Sequence, residues 1–158
     1  MSQLKVHEPS QSELLHPSRL VSTRPPSVNV VGVARAATLW LLRLACAGLL
    51  IWIGIIHLHL WLEGYSHIPT NGPFFLADAV VAFAFAAALL AWPRAIVGLL
   101  GAGFTLGTLA ALIISINIGL FGFKESAGAS FVVLSLVIEA LATLVLLGWT
   151  GLTAARHR

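Results

Sequence analysis

AATLWLLRLACAGLLIWIGIIHLHLWL, Ala36 to Leu62, carries a single formal charge, Arg43, and no other strongly polar side chain until His57 and His59 near its end. A helix needs about 20 predominantly apolar residues to cross a ~30 Å hydrocarbon core, and this run exceeds that. Three similar runs follow, Phe74 to Trp92, Ala95 to Phe121 and Ala129 to Trp149. The separators GYSHIPTNGP, Pro93-Arg94 and GFKESAG supply glycine, proline and polar residues that interrupt helices. The pattern predicts an all-α fold, a four-helix transmembrane bundle with helices at about 36–62, 74–92, 95–121 and 129–149.

Composition agrees. The chain is 58% hydrophobic and only 9% charged, against about 25% charged in an ordinary soluble domain. The medium for most of this surface is therefore the lipid bilayer, the partner the sequence specifies most directly. Other membrane subunits or a homo-oligomer are the further partners to expect, and no nucleic acid. The lone Cys46 excludes an internal disulfide and a multi-cysteine zinc or iron–sulfur pattern.

Residues 1–34 differ in kind. Pro9, Pro17, Pro25 and Pro26 punctuate a serine-rich stretch with no sustained apolar period. It is expected to be a disordered cytoplasmic tail ahead of a transmembrane domain at 35–158. It does not resemble a secretory signal, since the first long apolar run begins far from Met1 and lacks an A-x-A site.

Basic residues predict orientation. With both termini cytoplasmic, Lys5, Arg19, Arg24, Arg35, Arg94, Arg156 and Arg158 fall inside, Arg43 snorkels to the same face, and only Lys124 lies outside. Trp40, Trp92 and Trp149 would mark the inner interface, and Trp61 with Tyr65 the outer one. The expected location is the plasma membrane.

Polar groups within spans are expensive, so their positions are informative. The first helix runs outward and brings His57 and His59 to its outer end. The second runs inward and places Asp78 about one turn below that surface. Asn117 and Ser115 reach a similar level on the third. Glu139 lies ~15 Å down the fourth at 1.5 Å per residue, near the midplane. His57, Asp78, Asn117 and Glu139 are thus the intramembrane polar candidates. A neutral, hydrogen-bonded glutamic acid partnered by Thr105, Thr108 or Thr143 competes with proton carriage or ligand coordination.

At 100° per residue, His57 and His59 point about 200° apart and cannot chelate one ion as they would on a strand. His57 shares a face with Cys46, Leu50, Gly54 and Trp61, the better candidate for the bundle interior. His59 shares the other with Glu63. A metal site would need loop 1 to gather His57, His59, Glu63, His67 and Asp78, and zinc or copper would suit those ligands. An interfacial solvated cluster is the simpler account of His59, Glu63 and His67, and no cofactor is predicted outright.

Gly103, Gly107, Ala111, Ser115 and Gly119 recur every fourth residue along the third helix. Such stripes let helix backbones approach closely, here within the bundle or at a dimer interface.

The block IHLHLWLEGYSHIPTNGPFFLADAVVAF, within residues 55–83, joins a helix ending in His and Trp to Gly-Tyr, Ile-Pro-Thr, Gly-Pro and a second apolar helix. It resembles small uncharacterised four-span integral membrane proteins of high-GC Gram-positive bacteria. The resemblance implies a four-helix plasma-membrane protein and supplies no activity.

The chain has no P-loop, G-x-S-x-G, HExxH, CxxC or dinucleotide fingerprint, and no catalytic residue is assigned. Three functions remain. The leading one is a non-catalytic accessory or scaffold subunit of a membrane complex. The second is a small proton, metal-ion or solute carrier using Glu139, Asp78 and His57. The third is a membrane enzyme acting on a lipid or quinone at the outer interface.

Overall fold

A computed structural model describes residues 30–155; residues 1–29, which hold most of the expected tail, and residues 156–158 lie outside the described residues. The described residues form four helices, α1 Val30–Leu62, α2 Asn71–Ala91, α3 Ala95–Asn117 and α4 Val132–Ala154. Each is long and apolar enough to cross a membrane.

The helix ends differ from the expected ones for local reasons. The chain is already helical at Val30, the first described residue, rather than only from Ala36, because VVGVAR holds no proline and continues the helix without a break. α3 stops at Asn117 rather than Phe121, because Gly119 has φ 89° and the chain then reverses. The reversal is a tight turn in which Leu120 N–H donates to Phe123 O at 2.7 Å and Phe123 N–H donates back at 3.0 Å. Both central residues, Phe121 (φ 51°) and Gly122 (φ 80°), have positive φ, as a type I′ turn requires. Phe131 is left-handed at φ 69°, so α4 begins at Val132 and not at Ala129; it then runs past Trp149 to Ala154.

α1 buries one stripe, Cys46, Leu50, Ile53, Gly54 and His57, at the three- and four-residue spacing of a helix face. Gly54 admits the Phe83 ring of α2, which would stand 2.8 Å from any Cβ placed there. α3 and α4 are closer still. A Cβ at Gly98 would meet the Trp149 ring at 2.8 Å and collide with the Thr150 hydroxyl. Farther along, the Thr105 and Thr143 hydroxyls hydrogen-bond across the pair at 2.8 Å. Lipid gives apolar helices no hydrophobic reason to associate, so contacts of this closeness carry much of the association. Trp149, expected at the interface, is instead buried, because Gly98 leaves a slot for its ring.

The half of the bundle holding the start of α1 and the end of α2 is filled by Leu39, Cys46, Leu50, Leu89, Leu146 and Trp149. Arg43 is buried there rather than snorkelling. Its Nε–H donates to Leu89 O at 2.9 Å, Nη2–H donates to Leu90 O, and the guanidinium lies 4.4 Å from the Trp40 ring centre. The physical reason is the end of α2, whose last carbonyls have no intrahelical donor and bear the negative end of the helix dipole. Arg43 is the C-terminal cap of a neighbouring helix. Replacing it with Met should lower stability by about 2–4 kcal/mol, two charge-assisted hydrogen bonds being lost. Thermal unfolding in mild detergent measures this, and Arg43→Lys should recover only part, since an ammonium lacks the planar fork.

Candidate functional site

At the opposite end of the bundle, His57 Nδ1 lies 2.9 Å from Ile53 O, one turn back on α1. A carbonyl can only accept, so Nδ1 carries the proton and Nε2 is left facing away from its own helix. Nε2 stands 3.9 Å from Asp78 Oδ2 of α2 and 3.9 Å from Glu139 Oε1 of α4. These separations exceed a direct hydrogen bond, yet they bring one imidazole between carboxyl groups from two other helices. The Phe75 ring lies 5.6 Å from the imidazole.

The two carboxyls differ in surroundings. The Asp78 side chain is one-third exposed (33%), whereas the Glu139 residue is 1% exposed. Thr143 Oγ1–H donates to the Glu139 backbone carbonyl at 2.8 Å and so does not serve its carboxyl. Thr105 is occupied with Thr143 and Ala102 O. Thr108 lies beside the carboxyl and donates to Thr105 O at 3.0 Å. Glu139 Oε2 is buried without a hydrogen-bond partner.

All three ionisable groups line one cavity of about 600 Å³, shared with Phe75, Phe104, Thr108, Ser115 and Ser135. Its α3 wall includes Gly103, Gly107 and Ala110, which are exposed, and a Cβ at Gly103 or Gly107 would meet nothing within 4 Å. The cavity therefore opens sideways beside these residues. The small-residue stripe expected to bring helices together is, at Gly103, Gly107, Ala111 and Ser115, a cavity wall. Close packing on α4 uses the neighbouring face, Gly98, Gly101, Ala102 and Thr105. Gly119 serves the turn after α3.

Two loops meet at the cavity's end. Tyr65, in a 3-10 turn at Tyr65–His67, donates from its hydroxyl to Glu125 Oε2 at 2.8 Å. Ser126 N–H donates to Glu125 Oε1 at 3.0 Å, and Glu125 N–H donates to Ser115 O at 3.2 Å. Tyr65 packs on Phe75 at 4.7 Å, and Phe74 stacks on Phe121 at 5.4 Å between ring centres. In the sequence Tyr65 reads only as an interfacial aromatic, and nothing there assigns Glu125 a role. An acidic residue beside a lysine in a loop has no period from which its direction could be read.

The remaining candidates lie apart from this cluster. His59 pairs with Glu63 at 3.4 Å, partly exposed, and sets its ring edge-on to Phe131 at 5.1 Å. His67 is exposed. Asn117 is exposed and donates to Ile113 O of its own helix at 2.7 Å, away from the cluster. Among the described residues no three His, Cys, Asp or Glu side chains are placed to hold a metal ion, so His57, His59, Glu63, His67 and Asp78 do not gather into one site. No family model, curated protein or solved structure matches the chain.

Burial first, then the hydrogen bond and charge of Glu125, push the Tyr65 phenol up to about 12. Tyr65 is the only tyrosine, so ultraviolet titration reads it directly. Its ionisation should appear near pH about 12 instead of the usual ~10. Glu125→Gln should lower the midpoint without restoring ~10, because burial persists. The folded state holds this proton more tightly than the unfolded one. The associated stability is therefore complete below pH ~10 and lost as pH rises through the folded value.

Proposed function

We propose that this multi-pass membrane protein holds a small lipid-soluble molecule in the His57–Asp78–Glu139 cavity, admitting it sideways from the bilayer. One observation carries the reading. Three ionisable side chains from α1, α2 and α4 converge on a cavity whose α3 wall is open beside Gly103 and Gly107. A purely structural bundle has no need of such a cluster, and ionisable groups inside a membrane are costly enough to point to function.

A through-channel fits less well than a binding site. Beyond Glu139 the interior is occupied by Cys46, Leu50, Leu89, Leu146 and Trp149, which leave an apolar, close-packed half. Approach is from the side and from the end roofed by Tyr65 and Glu125. Acid–base chemistry on the bound molecule is the second reading, favoured by His57 Nε2 standing beside two carboxyls while Nδ1 is held by its own helix.

If a resident molecule copurifies, organic extraction of protein isolated in mild detergent should yield about one equivalent beyond bulk lipid. Gly107→Trp, which would place an indole in the open wall, should remove it. Identical extracts from the two proteins would count against the reading.

We further propose that both termini are cytoplasmic and that the cavity lies in the outer half of the plasma membrane. The support is the distribution of the nine lysines and arginines, of which only Lys124 falls in the outer connections. The chain has two lysines, Lys5 and Lys124. A membrane-impermeant amine reagent should modify Lys124 in intact cells and Lys5 only after lysis. The reverse pattern would invert the topology.

A further inference from the structure

The cavity's charge inventory is one-sided. Asp78, Glu125 and Glu139 bring three carboxyls and His57 one imidazole, while no lysine or arginine lines it among the described residues. Glu125 is already engaged by the Tyr65 hydroxyl and the Ser126 N–H, which leaves Asp78 and Glu139 to meet a ligand. With both ionised, the site stays net negative even when His57 is protonated. Glu139 Oε2, buried and without a hydrogen-bond partner, supplies an independent sign of an incomplete site. The surroundings are aromatic: Phe75 stands beside both Tyr65 and His57, with Phe104 on the opposing helix. Ring faces attract cations, and the attraction grows when water is excluded.

Resting on the proposed lipid-soluble ligand, we infer that this ligand is a lipophilic cation, a protonated or quaternary amine or a comparable onium, whose charge sits between Asp78 and Glu139 and whose apolar body lies along the Gly103–Gly107 wall. A bare metal ion is a poorer fit, since among the described residues no three His, Cys, Asp or Glu side chains are placed to hold one. An anion would meet carboxyls with no fixed positive partner. A bulky organic cation is also the charged species least costly to bring from lipid, because its charge is spread and weakly hydrated.

Cation and protons compete for the same carboxyls. The groups facing the site are His57 from α1, Asp78 from α2, Glu139 from α4, and Tyr65 and Glu125 from the loops, while α3 contributes Thr108 and Ser115 but no titratable group. Binding should therefore weaken as pH falls.

The test uses the full chain in lipid nanodiscs and three probes of related bulk: tetraphenylphosphonium, tetraphenylborate and neutral triphenylphosphine oxide. Equilibrium dialysis against protein-free nanodiscs of the same lipid removes partitioning into lipid, and Gly107→Trp nanodiscs report the loss of the cavity. The expected result is phosphonium binding at least about tenfold tighter than either other probe, weakening at low pH. Glu139→Gln and Asp78→Asn should each reduce phosphonium binding about tenfold, a larger loss than either causes for the oxide. The wild-type comparison of probes stands even if a variant fails to fold. Equal or tighter binding of the oxide or the borate would overturn the cation inference while leaving a lipid-soluble ligand in place. If none of the three binds wild type better than Gly107→Trp, both readings fall.

Discussion

The clamp between α3 and α4 organises the molecule. Trp149 lies against Gly98, Leu146 packs at 3.6 Å from where a Cβ of Gly101 would stand, and Thr105 bonds Thr143. In lipid, where apolar surface alone does not drive helices together, closeness of this kind decides which faces meet. It also turns α3 so that Gly103, Gly107 and Ala111 face elsewhere. Those small residues, with no helix against them at Gly103 and Gly107, leave the open wall of the cavity. One end of the bundle is closed by large side chains, and the other is left hollow.

Two buried ionisable side chains, Arg43 and Glu139, show the contrast between these ends. Arg43 is satisfied by carbonyls at the end of α2 and by the Trp40 ring, so it serves packing. Glu139 has neighbours for its backbone carbonyl but none for Oε2, and it faces a cavity. Both are costly inside a membrane. Arg43 is balanced by the backbone it caps, whereas Glu139 keeps one carboxyl oxygen, Oε2, without a hydrogen-bond partner.

Backbone strain gathers around the same end. Thr70, Phe121 and Phe131 are the non-glycine residues with positive φ among the described residues, and all lie in the loops joining the helices there. Such conformations cost about 1–3 kcal/mol each and persist where surrounding contacts hold them. Here those contacts include the Phe74–Phe121 stack and the Tyr65–Glu125 hydrogen bond. The roof is built by side chains gripping loops that the backbone alone would not favour.

Hydropathy and helical period, both local properties, were enough to determine four helices, their approximate limits, the inward face of α1 and the similar depth of His57, Asp78 and Asn117, with Glu139 below them. They carried no information on which helix face meets which. Only the tertiary structure decided that His57 Nε2 stands equally far from two carboxyls, while Asn117 at a similar depth turns to its own backbone. The same holds for Trp149 in a core slot instead of an interface, and for a small-residue stripe that lines a cavity instead of packing against another helix of the same chain. Glu125 was out of reach of the sequence, because a loop has no period and its direction follows from the partners it finds. A side chain's depth is set by counting along its own helix, but its neighbours are set by how four helices fit together at once.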